Sequence, residues 1–143
     1  MSKAMYLLDS NVLAELRPGK PKPSPQVRQW AATVAQSLFY LSAITILEQE
    51  EGVLRVERRD PTAGQALRRW ATAVHQAFAG RILPFGEREA LLCAPMHVPD
   101  PKARRDSMIA ATALAHGMTL VTRNTQDFER TGARLFNPWA GQI

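Results

Sequence analysis

Met5-Tyr6-Leu7-Leu8-Asp9-Ser10-Asn11-Val12-Leu13-Ala14-Glu15-Leu16-Arg17-Pro18-Gly19 is the stretch that decides the fold class. Met5 to Leu8 is a short apolar run, too brief for a buried helix, and reads as a buried strand. Asp9 ends it. Asn11 to Leu16 then reads as a short helix, closed by Arg17-Pro18-Gly19. A strand that passes into a helix through a single acidic residue is the opening unit of a parallel α/β sheet.

The same alternation continues outward. Pro18 to Pro25 holds four prolines and reads as a loop. Val27, Trp30, Ala31 and Val34 recur at helical spacing, and Leu38 to Leu41 is a second strand-like run. A helix follows from about Thr45. Asp60-Pro61 begins another, with Asp60 as cap and Pro61 in the first turn. Arg81 to Phe85 reads as a third short strand. Glu87 to Met96 reads as a helix that Pro95 ends or kinks. Asp106 opens an alanine-rich helix from Ser107 to His116, closed by Gly117. Met118 to Thr122 gives a fourth strand and Leu135-Phe136 a fifth. The expected fold is a three-layer α/β/α domain with a central parallel sheet of four or five strands. With no long linker or repeat, residues 1–143 are expected to form one domain.

Composition narrows the function classes. The chain has 143 residues, 45% hydrophobic and 22% charged, which is ordinary globular usage. Lys and Arg number 18 against 13 acids, for a net charge of +5. A basic balance favours polyanions such as nucleic acid, although it also describes a well-solvated surface. Cys93 is the single cysteine, so no intrachain disulfide can form, and a reducing, cytoplasmic location is expected. No apolar run approaches the roughly 20 residues of a membrane helix. His75, His97 and His116 lack zinc-motif spacing.

The acids carry the chemistry. In open parallel sheets ligands bind beyond the carboxyl ends of the strands. Asp9 ends the first strand, Glu48 lies in the first turn after the second, and Asn124 and Asp127 follow the fourth. Asp106, at the start of a helix, can reach the same rim. Clustered carboxylates repel one another, and a hard divalent cation with oxygen ligands removes that cost. Such an ion can activate water and stabilise a phosphate under attack. Each acid also has a plainer role. Asp9 and Asp106 can cap helices, and Thr45 with Glu48 fits a capping box. Glu50 and Glu51 compete with Glu48 as ligand, and Glu51 can pair with Arg55 instead.

Four segments together resemble the PIN domain family. They are Leu7-Leu8-Asp9-Ser10-Asn11-Val12; Leu41 to Glu48 followed by Gly52-Val53; Asp106-Ser107-Met108-Ile109-Ala110-Ala111-Thr112-Ala113; and Leu120-Val121-Thr122-Arg123-Asn124 with Asp127-Phe128. The nearest group is that of the VapC- and FitB-like toxins of bacterial toxin–antitoxin pairs. Ala79 to Phe85 and Leu135 to Trp139 are similar to the FitB-like branch. The resemblance implies a Mg2+- or Mn2+-dependent ribonuclease, usually a homodimer, inhibited by a cognate antitoxin and reaching operator DNA only through it. It makes Asp9, Glu48 and Asp106 the metal ligands, choosing Glu48 over Glu51. It gives Asn11 and Thr122 the task of orienting carboxylates.

Two departures stand out. The fourth acidic position falls on Asn124, which brings no charge; Asp127 either compensates or caps a turn. Arg104 and Arg105 stand where members usually have small residues, and are read as contacts to substrate phosphate or as an exposed basic turn. Two competing functions follow: a catalytically weak PIN-fold module in a DNA-binding complex with its antitoxin, or a phosphotransferase with Asp9 as nucleophile. The second needs an acid two residues on, where Asn11 stands.

Overall fold

In the computed structural model, which describes residues 4–140, the chain forms a five-stranded parallel sheet. The strands are β1 (Tyr6–Leu8), β2 (Phe39–Ser42), β3 (Ile82–Leu83), β4 (Thr119–Val121) and β5 (Arg134–Phe136). Their order is β3-β2-β1-β4-β5. β1 is therefore central, pairing with β2 at Tyr6–Phe39 and with β4 at Leu8–Val121. The helices are α1 (Ser10–Glu15), α2 (Pro25–Ala32), α3 (Ala43–Arg59), α4 (Pro61–Ala77), α5 (Glu87–Cys93) and α6 (Arg104–His116).

Alternation along the strands separates two cores. Leu8, Phe39, Leu41, Val121 and Phe136 point to one face and pack with Val12, Leu13 and Val74 of α1 and α4. Leu7 and Leu120 point to the other and pack with Ile44, Ile109, Ala110 and Ala113 of α3 and α6. A sheet buried on both faces explains why its strands read as unbroken apolar runs. Trp30 sits in the first core, edge-on to Tyr6 at 5.4 Å and tilted on Phe136 at 5.0 Å.

Local signals set several boundaries. Asp60 Oδ1 accepts from the Ala63 amide at 3.2 Å, and Pro61 begins α4. Gly117, at φ 64°, closes α6 in the left-handed conformation, which costs glycine little. The proline-rich loop is tied to the end of α1: the Glu15 carboxylate accepts from the Ser24 amide at 2.7 Å and pairs with Lys20 at 3.3 Å. Among the described residues no helix is long and apolar enough to cross a membrane.

Two boundaries differ from the sequence reading. α3 begins at Ala43, so Glu48 lies in its second turn. Ser42 caps it, its hydroxyl accepting from the Ile44 amide at 3.0 Å, whereas the Thr45 hydroxyl is buried and has no hydrogen-bond partner among the described residues. The Thr45–Glu48 capping box is therefore not formed. α6 begins at Arg104, which puts Asp106 inside the first turn and not at the cap; the cap residue is Ala103, with no side-chain bond.

Candidate active site

Asp9 leaves β1 at the carboxyl edge of the sheet and is only 6% exposed. Its Oδ1 accepts from the Ser10 amide at 2.8 Å, capping α1. Its Oδ2 accepts from the Thr122 hydroxyl at 2.8 Å and, more weakly, from the Asn11 amide at 3.4 Å. Thr122 is fully buried just past β4, the strand next to β1, so the two meet across the sheet. Thr122 also accepts from the Asn124 amide at 3.1 Å, and Asn11 Oδ1 accepts from the Arg123 amide at 3.3 Å. Asp9 thus caps α1 while lying at the carboxyl rim of the sheet.

The three glutamates of α3 are separated by their partners. Glu50 is held by Arg68 of α4 through two bonds of 2.7 and 2.9 Å. Glu51 is held by Arg105 of α6 at 2.6 and 3.0 Å, with Arg55 distant at 3.9 Å. Glu48 takes a 2.5 Å hydrogen bond from the Ser10 hydroxyl, and its charge reaches Asp9.

Electrostatics brings four carboxylates into one field. Burial pushes the Asp9 carboxyl up. Its bonds from Thr122 and Ser10 pull it back, while the charges of Glu48 and Asp127 raise it. Asp106 is pushed up to about 6, first by burial and then by the charges of Asp9, Asp127 and Glu48. No hydrogen bond or ion pair reaches the Asp106 carboxylate among the described residues. The donor set is all oxygen, carries mutually repelling charge and leaves one carboxylate unpartnered, a chemistry that suits a hard divalent cation. The side chains are not gathered to a common point: among the described residues no group of three or more His, Cys, Asp or Glu stands where it could hold a metal ion.

The remaining candidates divide. Asp127 is exposed on the short 3-10 turn Thr125–Phe128 and acts on Asp9 and Asp106 through its charge. Asn124 precedes that turn and makes no side-chain cap. Arg105 feels the charge of Glu48 and bridges α6 to α3 beside it. Arg104 borders Phe85, Cys93 and Met108 on the α5 side. The two neighbouring arginines therefore serve different surroundings.

Sequence reasoning missed two things. Ser10 has no role of its own in the sequence reading, and a hydroxyl next to Asp9 is the signal that could have singled it out. The other is a buried knot behind Asp106. The His97 Nδ1 accepts from the Lys102 amide at 3.2 Å, so its other nitrogen carries the proton and donates to the Ser107 hydroxyl at 2.7 Å. Cys93 also donates to that hydroxyl at 3.3 Å, and Ser107 donates to the Arg104 carbonyl at 2.8 Å. This knot ties the first turn of α6 to Cys93 of α5 and to His97.

Fold and site together define an α/β/α protein with an acidic rim at the carboxyl ends of a parallel sheet. The chain belongs to the PIN domain family, whose model matches residues 6–134, and within it to the VapC/FitB-like toxins of toxin–antitoxin systems. It is 36% identical to the toxin FitB of Neisseria gonorrhoeae over 94% of this chain and 99% of that protein. It is 36% identical to the VapC ribonuclease Y4jK of Sinorhizobium fredii over 94% and 98%. It superposes on a solved structure of FitAB bound to an IR36 DNA fragment with a TM-score of 0.78, at 35% identity, over 94% of this chain and 96% of that one.

Proposed function

We propose that residues 1–143 act as a single-domain endoribonuclease, the toxin of a toxin–antitoxin pair, cleaving RNA phosphodiester bonds with Mg2+ or Mn2+. The observation that carries this reading is the shared field of Asp9, Glu48, Asp106 and Asp127, in which burial and mutual repulsion hold Asp9 and Asp106 above the usual carboxylate range. Asp9, Glu48 and Asp106 would hold the ion. When bound, the ion supplies positive charge to the phosphate and an activated water. Thr122 and Asn11 fix the Asp9 carboxylate, and Ser10 fixes that of Glu48. Arg105 offers a cation to the substrate phosphate at the rim; Arg104 would serve RNA farther along. Asp127, with Asn124 beside it, completes the fourth corner as a charge.

Purified toxin free of antitoxin should cleave RNA with Mg2+ or Mn2+, stop in EDTA and lose activity in Asp9→Asn. Absence of cleavage of total RNA in either metal would sink the reading. In that event the alternative holds: a PIN-fold binding module in a regulatory complex, as FitAB bound to DNA suggests for its relative. The uncharged Asn124 and the spread of the carboxylates favour that second reading. In either case the partners proposed are a cognate antitoxin, through it operator DNA, and a second copy of the chain.

A further inference from the structure

β4 ends at Val121, Thr122 is buried against Asp9, and the next residue, Arg123, is exposed. Its backbone is fastened on both sides. The amide donates to Asn11 Oδ1 at 3.3 Å, and the carbonyl accepts from the Asn137 side chain at 3.4 Å. Asn11 in turn donates to Asp9 at 3.4 Å, which ties the Arg123 backbone to the acidic rim.

The side chain is aimed as well. The Arg123 guanidinium lies over the indole of Trp139, 5.2 Å from the ring centre, where the ring face attracts a cation. Trp139 is itself held. Its amide donates to Asn137 Oδ1 at 2.9 Å, and its ring packs on the core that contains Leu8, Val121 and Phe136. Asn137 thus joins the backbone beneath the cation to the backbone of the ring that carries it.

The charge itself is left over. Arg68 and Arg105 are each taken by a glutamate of α3. Among the described residues no ion pair or hydrogen bond engages the Arg123 guanidinium, although Asp127 lies on the same loop. Covering an indole needs only the methylene stem of an arginine. Here the charged head also borders a polar cleft of about 300 Å³, lined by Arg123, Asn124, Thr125, Gln126 and Asp127. Guanidinium N–H groups match phosphate oxygens in pairs. Contacts of this kind set the register of a nucleic acid and read no base.

We propose that Arg123, held over Trp139, grips a backbone phosphate of the RNA next to the one placed at the acidic rim, and so registers the strand for cleavage. The inference rests on the ribonuclease reading for its substrate and adds a positioning residue to it.

The test measures binding and cleavage separately. The full chain, freed of antitoxin, is titrated with fluorescein-labelled oligo-U and oligo-A RNA in EDTA over a range of KCl, followed by fluorescence anisotropy. Arg123→Met keeps an unbranched cover on the indole and removes the charge. It should weaken binding of both RNAs at low salt by about tenfold, the scale of a charged hydrogen bond. It should also flatten the slope of log K against log salt by about 0.7, the share of one single-strand phosphate, with the melting temperature unchanged. Arg123→Lys should keep the wild-type slope. In Mg2+, Arg123→Met should raise KM for a defined RNA more than it lowers kcat. An Arg123→Met protein with the wild-type slope overturns the proposal. If its melting temperature falls, the arginine only covers Trp139; if it no longer co-purifies with antitoxin, the arginine meets an acidic side chain of that partner. A loss confined to one of the two RNAs overturns it too, since a phosphate contact reads no base. Wild type that binds RNA with an Arg123-dependent slope and cuts nothing overturns the ribonuclease reading and leaves the phosphate contact assigned.

Discussion

Asp9 and Asp106 face the same acidic field, yet they are held in opposite ways. Asp9 is fixed through its own oxygens by Ser10, Thr122 and Asn11. Asp106 has no such bond among the described residues; its backbone turn is fixed from behind, through Ser107, His97 and Cys93. The first arrangement sets a side chain, and the second sets a helix end and leaves the side chain free to turn. One corner is thus rigid before anything binds, and the other can adjust to what does.

The hardest test of that contrast removes the charges themselves. Asp9→Asn and Asp106→Asn should each lower RNA cleavage by more than about 100-fold, since groups merely supporting metal ligands are already worth roughly 10–100-fold. Steady-state cleavage of a defined RNA measures it, and a variant retaining a tenth of wild-type rate would remove that acid from the site. Next, Thr122→Val should cost about 10–100-fold through misorientation of Asp9, with Thr122→Ser recovering much of the loss. Ser107→Ala should cost less in rate and about 1 kcal/mol in stability, because it loosens a helix start and touches no carboxylate.

Stability should separate the two acids by size of effect. Asp106 ordinarily titrates near 3.8 and is pushed up to about 6. The folded protein therefore binds that proton more tightly than the unfolded chain, so this stabilisation is fullest below 3.8 and is lost as pH rises toward 6. In EDTA at pH 7–8, Asp106→Asn should raise stability, on the order of 1 kcal/mol once solvent screening is allowed for. The gain should shrink between pH 6 and 4, as followed by urea melts across that range. Asp9→Asn breaks the pattern, since it disturbs bonds that Asp9 makes and Asp106 lacks; equal gains in both would erase the contrast. The smallest effect in the same melts is expected at Arg105→Ala, because its pair with Glu51 is partly exposed and screened by solvent.

The strands, the Asp60 cap and the Gly117 stop were legible because each depends on neighbours in sequence. The start of α3 was harder: Ser42 and Thr45 are both good caps and both fully buried, and what decides between them is where β2 ends, at Ser42, whose hydroxyl then accepts from the Ile44 amide. The start of α6 was illegible for a further reason. Nothing at Ala103 or Arg104 signals a helix, and the bonds that stabilise it come from His97 and Cys93, across a turn of prolines. At the site, Asp9, Glu48 and Asp106 were readable as acids in a family pattern. Their neighbours Glu50 and Glu51 were set aside in space by Arg68 and Arg105, which spacing alone does not reveal.

The strand order carries one more consequence. β1 lies at the centre, but β4, which brings Thr122 to Asp9, follows it by most of the chain. During synthesis Asp9 and Glu48 emerge early, and domains fold as units once enough chain is available. A nascent or prematurely ended polypeptide without Thr122 has its first acid but not the hydroxyl that holds it. For a protein proposed to destroy RNA, the topology is a timer: a ribosome finishes most of the toxin before the toxin can form its site.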